Sequence, residues 1–194
     1  MDRLVLSAEL PSFPPKNWYH VGRIDPSKNI EQIVETLAKF RLTNNEITLS
    51  LYGANSSNKT KSYFESLKLK FATSEYADWV SFKGSISHEI LSEVSLEHDA
   101  FIHAFWGSLD KALIEAILLK RIVVSSNPEY LQEFYGRKCL KYETGQELTS
   151  QLATIYSTSE LQNLNEIERK FDIAYKHHRF EDWVIRLVSI LKKN

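Results

Sequence analysis

Short strand-like runs alternate with amphipathic helical segments along most of this chain of 194 residues. The strand-like runs begin at Trp18, Ile47, Trp79, Ala100, Arg121 and Lys138. Between them, apolar residues recur at helical spacing. Such alternation predicts right-handed βαβ units, and hence an α/β fold with a doubly wound parallel sheet of about six strands and helices on both faces. From Gln146 onward the pattern is helical, which predicts a helical C-terminal tail.

Composition narrows the class of protein further. A hydrophobic fraction of 43% is enough to bury a core, and we expect one domain over residues 1–194. The net charge of −1 provides no global positive field, so we expect no nucleic-acid partner. Cys139 is the single cysteine, which excludes an internal disulfide and favours a reducing compartment. No apolar run approaches the ~20 residues of a membrane span, and we expect a cytoplasmic protein.

Four of the six glycines each close a predicted strand, namely Gly22, Gly53, Gly84 and Gly107. In a parallel sheet these four positions lie at the carboxyl edge, where open α/β sheets bind ligands. Glycine lets a ligand approach the backbone closely, although strand-to-helix turns also use glycine for its left-handed conformation. Four glycines in register favour a ligand site at this edge.

The loop GRIDPSK after the first strand adds two cations, Arg23 and Lys28, to the same edge. Two fixed cations beside a glycine turn suit a polyphosphate, because Arg binds phosphate as a fork and Lys as a point charge. The alternative is that both side chains are simply solvated. Neither a G-x-G-x-x-G fingerprint nor a Walker loop is present, which argues against ordinary dinucleotide and P-loop sites.

The segment WGSLDKALIEA places a helix start at this edge. Free N–H groups and the positive end of the helix dipole make such a start a phosphate site. Lys111 and Glu115 share one helix face. Glu115 lies about 7 Å along the axis, where a ribose would lie beside a diphosphate at the helix start. A carboxylate accepts hydrogen bonds from both ribose hydroxyls; the alternative is an exposed Lys–Glu ion pair.

Taken in order, four segments resemble the C-terminal, donor-binding domain of retaining GT-B glycosyltransferases of family four, the glycosyl transferases group 1. These segments are VGRIDPSKNIEQIVETL, LSLYGANSS, WVSFKGSISHEILSEV and FIHAFWGSLDKALIEAILLKRIVVSS. The resemblance is strong over residues 16–126 and weak in the helical remainder. It implies a Rossmann-like domain that binds a nucleotide-diphosphate sugar and transfers a hexose to an acceptor such as a growing glycan or a lipid-linked saccharide, as in polysaccharide biosynthesis.

The same resemblance implies roles for individual residues. Arg23 and Lys28 would be the catalytic cations that hold the donor diphosphate and stabilise the leaving nucleotide. Gly84 and Ile86 would border the base, and Glu115 would bind the ribose. The implied donor-binding residues are Gly22, Gly53, Gly84, Ile86, Gly107, Ser108, Asp110, Lys111, Ala112 and Glu115. The resemblance implies no metal and no cofactor, with a UDP- or GDP-sugar as substrate.

The chain departs from the family pattern in two ways. Gly107 stands where the family signature has its first glutamate, and GSLDK instead resembles the variant G-S-x-D-K. A GT-B enzyme also needs an N-terminal acceptor domain, which this sequence does not supply. We therefore expect a fragment or a separate donor-binding subunit that is inactive alone, with any association with the inner face of a membrane made through the missing part.

Two other functions remain open at this point. A non-catalytic α/β nucleotide-binding or interaction module would keep the fold without the chemistry. A hydrolase is a third reading, although no G-x-S-x-G elbow is present. Of the histidines, His20 is a candidate for facing the donor, whereas His103 fits a hydrogen-bonded core residue.

Overall fold

The computed structural model describes residues 10–55, 57–73 and 75–178. Its five strands are β1 (Asn17–Val21), β2 (Thr48–Tyr52), β3 (Val80–Gly84), β4 (Ala100–His103) and β5 (Ile122–Ser125). They form one sheet of order β3-β2-β1-β4-β5 in which every neighbouring pair is parallel. The expected Rossmann-like, doubly wound α/β fold is confirmed.

Seven α-helices lie in the described residues. They are α1 (Ile30–Arg41), α2 (Asn58–Phe71), α3 (Leu91–Leu96), α4 (Lys111–Leu118), α5 (Pro128–Tyr135), α6 (Thr144–Ser157) and α7 (Glu160–His177). The helical pattern expected up to Asn194 is present as α6 and α7, and residues 179–194 lie outside the described residues. Among the described helices, none has both the length and the apolar character to cross a membrane.

Two hydrophobic cores cover the two faces of the sheet, because side chains alternate along each strand. Trp18 of β1 packs into a core that α1 and α2 complete, together with Leu148 and Leu152 of α6. The next residue, Tyr19, points into the second core, with Phe101 of β4 and the apolar faces of α4 and α5. The helices that follow β1 and those that follow β4 therefore lie on opposite faces.

The change of face between the connection after β1 and the connection after β4 creates a topological switch point between these two strands. The chain after β1 turns to one face of the sheet and the chain after β4 turns to the other, so the two loops diverge and leave a crevice at the carboxyl edge. Gly22 directly follows β1 and Gly53 directly follows β2, while Gly84 ends β3. Gly107 lies four residues beyond the end of β4, in the loop on the same side of the sheet.

The prediction of a sixth strand at Lys138–Tyr142 is wrong, because the described residues form a sheet of five strands. The outward backbone groups of β5 are instead bonded by side chains: Gln151 of α6 accepts from the Ser125 N–H (3.1 Å) and donates to the Ser125 carbonyl (2.7 Å). Lys170 donates to the Val123 carbonyl. Because these partners already satisfy the edge, the later segment runs as a loop and a 3₁₀ turn, Lys141–Glu143, into α6.

Gly53 is the position where the carboxyl edge depends most on a missing side chain. Its φ is +147°, and a Cβ built there would lie 1.8 Å from the carbonyl oxygen of Gly22. The Gly53 N–H donates to the Gly84 carbonyl (2.8 Å), and the Gly22 N–H donates to the Tyr52 carbonyl (3.0 Å). The three strand ends therefore touch through backbone alone.

We predict that Gly53→Ala lowers the free energy of unfolding by about 3 kcal/mol or more, because backbone must move to admit the methyl group. Urea unfolding followed by circular dichroism measures this. Gly136→Ala is the matched control: Gly136 also has positive φ (+64°), but a Cβ at that position would meet no atom within 4 Å. It should cost only about 1–2 kcal/mol. Equal losses for the two variants would contradict the close approach at Gly53.

Candidate functional site

The loop after β1 is built to direct Lys28 inward. The Asp25 carboxylate accepts from the Ser27 N–H (3.0 Å) and so caps the 3₁₀ turn Pro26–Lys28. Asn29 follows in a left-handed conformation with φ of 51°, and its side-chain amide donates to the Ala104 carbonyl (2.7 Å). This turn leaves Lys28 only 5% exposed and joins the loop after β1 to the loop after β4.

Lys28 meets two groups from the loop after β4. Its Nζ lies 2.5 Å from Oδ2 of Asp110 and 3.9 Å from the ring centroid of Phe105. A buried ammonium needs a charged partner, and Asp110 supplies it. The structure thus places a buried lysine, paired with a carboxylate, between the loops after β1 and β4.

Asp110 also starts α4. Its Oδ1 accepts from the Ala112 N–H (3.4 Å), the bond of an N-cap residue. Burial alone would raise the pKa of the Asp110 carboxyl, but hydrogen bonds from His103 and Lys28 outweigh it and hold the pKa well below its usual range. The carboxylate is therefore ionised at neutral pH and neutralises the Lys28 charge.

The loop between β4 and α4 is held by Asn127, a residue that the sequence analysis missed. Its buried side-chain amide donates to the carbonyls of Phe105, Gly107 and Ser108 at 3.1, 3.0 and 3.2 Å. Glu129 accepts from the Leu109 N–H (2.6 Å). The motif Asn-Pro-Glu at the start of α5 predicts a helix cap, but nothing local in it predicts bonds to a loop 19–22 residues earlier.

The ring of Phe105 occupies the space beside Gly107. A Cβ on Gly107 would lie 2.4 Å from Cζ of Phe105, whose ring also contacts Lys28. A side chain at position 107, where the family signature has its first glutamate, would therefore require this ring to move.

A shallow cleft of about 290 Å³ lies at the carboxyl ends of β1, β2 and β3. Lys28 does not line it but approaches Gly22, which does: a Cβ on Gly22 would lie 3.6 Å from Cε of Lys28. The residues that line it include Gly22, Arg23, Gly53, Ser85 and Ile86. The Arg23 side chain is 63% exposed, and its Nε lies 3.6 Å from Asp25. Arg23 is therefore free to turn toward a ligand in the cleft, in contrast to the buried Lys28.

Glu115 lies on the face of α4 that meets the loop after β3. Its Oε1 is 3.4 Å from Nζ of Lys111 and 3.5 Å from Nε2 of His88. The Glu115 side chain is 17% exposed, whereas Lys111 and His88 are largely exposed. His88 follows Ile86 by two residues, so the carboxylate lies on the side of the cleft that Ile86 borders.

Two buried histidines stack beneath the switch point, with ring centroids 6.2 Å apart. His20 Nδ1 lies 3.0 Å from the Ile102 carbonyl, and no partner of its Nε2 is found in the described part of the chain. Burial lowers the pKa of His20 to about 3. That Nε2 faces Gly22, since a Cβ on Gly22 would lie 3.2 Å away. His103 is hydrogen-bonded at both nitrogens, to Ser125 and Asp110.

The structure brings the residues singled out in the sequence into three adjoining groups. The first group is the ion pair of Lys28 and Asp110. The second lines the cleft: Gly22, Arg23, Gly53 and Ile86. In the third, the Glu115 carboxylate lies near Lys111 and His88. Gly84 touches Gly53 through backbone, and Ser108 and Ala112 flank the cap of α4. In residues 10–55, 57–73 and 75–178 no group of His, Cys, Asp and Glu has the arrangement of a metal site.

A larger cavity of about 610 Å³ lies far along the sheet, between β5 and the helices α5, α6 and α7. Its cations are already paired: Arg137 with Glu147, Arg169 with Glu166, and Lys170 with the Val123 carbonyl. Its lining includes Gln162 and Asn163 in the first turn of α7 but none of the loop residues that follow β1, β2, β3 or β4. The smaller cleft is therefore the better candidate, because it lies at the carboxyl edge beside the loop after β1, which carries Arg23 and Lys28.

Solved structures with this fold include glycosyltransferases. HepE from Anabaena, in complex with UDP and glucose, is 16% identical with a TM-score of 0.76, over 91% of this chain and 48% of HepE. The pneumococcal O-GlcNAc transferase GtfA, in complex with UDP and GlcNAc, is 16% identical with a TM-score of 0.66, over 94% of this chain and 38% of GtfA. This chain thus spans less than half the length of these proteins.

A third structure matches over most of the length of both chains. The C-terminal domain of a glycosyl transferase group 1 family protein, LpcC from Francisella tularensis, is 15% identical with a TM-score of 0.71, over 92% of both chains. At these identities the likeness establishes the fold. A search of curated protein sequences found no match.

The family itself is established by a sequence model. The model described as glycosyl transferases group 1 matches residues 12–141, which is more than half of the chain. That range contains both loops of the switch point, the cleft and the whole of α4. This protein therefore belongs to the glycosyl transferases group 1 family.

Proposed function

We propose that this chain is the donor-binding domain of a glycosyltransferase, which binds a nucleotide-diphosphate sugar at the carboxyl edge of its sheet for transfer of a hexose to a glycan or lipid-linked acceptor. The observation that carries the proposal is Lys28, an almost fully buried ammonium at the switch point. A solvated surface lysine needs no such site. The cleft beside it, with Arg23 on its wall, has room for a ligand.

In this proposal the diphosphate lies between Arg23 and Lys28. Arg23 binds it as an exposed, mobile fork, and Lys28 acts as a point charge held in place. As the bond to the sugar breaks, negative charge grows on the leaving diphosphate. Lys28, a cation already held in place, stabilises that charge without reorganisation, and Arg23 turns in to add a second positive charge. Arg23 and Lys28 are thus the proposed catalytic residues, for a transfer that retains configuration and needs no metal ion.

The nucleoside occupies the other side of the cleft. Ile86 offers an apolar surface to the base, and Glu115 offers two carboxylate oxygens to the ribose hydroxyls. Glu115 is largely shielded from water by its position on α4, which strengthens a charge-assisted hydrogen bond. Lys111 and His88 hold the carboxylate until the ribose hydroxyls displace them.

A second domain completes the proposed enzyme. The chain spans 48% of HepE and 38% of GtfA, and the cleft described above is shallow and open on one side. We propose that residues 1–194 form a single domain, that an acceptor-binding domain or subunit closes over it, and that the chain alone is inactive in transfer. The proposed setting is the cytoplasm, with any membrane contact made through that partner.

A non-catalytic binding module is the second candidate, and one observation favours it. Asp110 already neutralises Lys28 at 2.5 Å, so the cation has a partner without any ligand. In such a module the ion pair would only join two loops. Titration of the isolated chain with UDP or GDP separates a nucleotide site from a module that binds only other proteins. Sugar transfer in the presence of the acceptor-binding domain then separates a donor domain from a non-catalytic nucleotide-binding module.

We predict that UDP or GDP binds the wild-type chain saturably in calorimetry without added metal, and that Arg23→Ala weakens this binding about tenfold or more. A charge-assisted hydrogen bond contributes about 1.5–3 kcal/mol. Binding of uridine or guanosine should not change, because the nucleoside lacks the diphosphate. Arg169→Ala is the matched control, since Arg169 is a partly exposed arginine paired with Glu166 at the larger cavity. Equal UDP affinity for wild type and Arg23→Ala would contradict the proposed role.

We predict a different signature for Glu115→Gln, which keeps the size and helix propensity of the side chain but removes its charge. Affinity for nucleotide and nucleoside should both fall about tenfold or more, while the melting temperature stays nearly constant. Glu168→Gln is the control, since Glu168 is an exposed helical glutamate paired with Lys120. Wild-type affinity in Glu115→Gln would leave Glu115 as an ordinary surface ion pair.

A further inference from the structure

A histidine in the buried strand β4 connects the far side of the sheet to Lys28. His103 is fully buried, and it lies in register with Ser125 of β5. Its Nδ1 is 3.1 Å from Oγ of Ser125, and its Nε2 is 3.3 Å from Oδ2 of Asp110. The same Oδ2 accepts from Lys28 Nζ. A continuous path of hydrogen bonds therefore runs from β5 to the cation.

The direction of donation along this path is fixed at the Asp110 end. At the Ser125 end, the hydroxyl can both donate and accept, and its Oγ also accepts from the Asn127 N–H (3.1 Å). At the other end, the ionised Asp110 carboxylate only accepts. Burial lowers the pKa of His103, so the ring is neutral at neutral pH. His103 therefore carries its hydrogen on Nε2 and donates it to Asp110.

The stacked neighbour His20 has the opposite tautomer. Its Nδ1 faces the Ile102 carbonyl, which only accepts, so the hydrogen lies on Nδ1. The two rings are adjacent and equally buried, yet only His103 donates toward the switch point. The tautomer of His103 is thus set by Asp110 and is not a general property of buried histidines in this core.

These hydrogen bonds determine where the Lys28 ammonium lies, because they fix the carboxylate with which it pairs. Asp110 is bonded at both oxygens, by His103 and Lys28 at Oδ2 and by the Ala112 N–H at Oδ1. A lysine side chain has a flexible four-carbon stem, so a fixed counterion is what restricts its ammonium to one place. We propose that His103 is a positioning residue for diphosphate binding, because through Asp110 it holds the Lys28 ammonium where the diphosphate binds; this inference rests on the proposed function.

The test uses two amides that each keep one of the bonds of His103. The side-chain amide of Gln reaches the position of Nε2 and can donate to Asp110. The shorter amide of Asn keeps the position of Nδ1 near Ser125 and leaves Asp110 without this donor. Both variants are made in the full chain, alone and combined with Lys28→Gln. Calorimetry then measures the affinity for UDP or GDP, whichever binds the wild type more tightly, and for its nucleoside.

We predict that His103→Asn weakens nucleotide binding about three- to tenfold. This is less than the loss of a direct charge-assisted bond to the diphosphate would cause, because His103 acts on the ligand only through Asp110 and Lys28. Nucleoside binding should stay unchanged, and His103→Gln should stay within about twofold of wild type. In the Lys28→Gln background His103→Asn should have no further effect, because two residues that act through one another are not additive. Ser125→Ala removes the hydroxyl that is hydrogen-bonded to Nδ1 and holds the ring in place. It should weaken nucleotide binding in the same selective way if His103→Asn does not fold.

Three results would overturn the inference. The first is wild-type nucleotide affinity in His103→Asn while Lys28→Gln binds weakly. The second is an equal loss for nucleotide and nucleoside, which indicates a purely structural role. The third is full additivity with Lys28→Gln. A wild-type chain that binds neither UDP nor GDP would instead refute the proposed function, and the inference would fall with it.

Discussion

The ion pair between Lys28 and Asp110 holds the two loops of the switch point together, and the arrangement of the site depends on it. Its partners are 82 residues apart in the chain and come within 2.5 Å. Removing one partner of a buried ion pair typically costs about 3–5 kcal/mol, because the other charge is left unpaired. Asp110 is also the N-cap of α4. One carboxylate therefore fixes where α4 begins, where the first loop ends and where the cation lies.

This pairing also determines the electrostatics of the proposed donor site. Lys28 is already neutralised by Asp110, whereas Arg23 lies in water with only a 3.6 Å contact to Asp25. An incoming diphosphate would share Lys28 with Asp110 and recruit Arg23. Much of the attraction of the diphosphate to the site would then come from the exposed Arg23. The buried Lys28 would determine where the diphosphate lies. Because Arg23 keeps its charge exposed at this edge, a chain with a net charge of −1 can still offer an anion site there.

Much of this architecture could be predicted from local sequence patterns. Glycines after strands mark the carboxyl edge, and at Gly53 the reason is a close backbone approach that admits no side chain. The sixth strand could not be predicted correctly, because the side chain of Gln151, 26 residues beyond Ser125, bonds the edge of β5 where a strand was expected. Contacts of that kind depend on tertiary packing and leave no periodic trace in the sequence.

The sequence indicates which residues are candidates for the site, but it does not indicate which hydrogen bonds and ion pairs join them. The sequence marks Arg23, Lys28 and Glu115 as candidates through spacing and resemblance. It does not indicate that Asp110 pairs with Lys28, that Asn127 holds the loop after β4, or that His103 donates to Asp110. Each of these is a hydrogen bond between segments that only the fold brings together.

A crystal structure of the chain with UDP or GDP tests the central claim most directly. The account predicts the diphosphate at the switch point within hydrogen-bond distance of Lys28 Nζ and Arg23, with the ribose hydroxyls on Glu115 and the base against Ile86. Nucleotide bound instead in the cavity between β5 and the helices α5, α6 and α7, or at the cleft with no contact to Lys28, would contradict it.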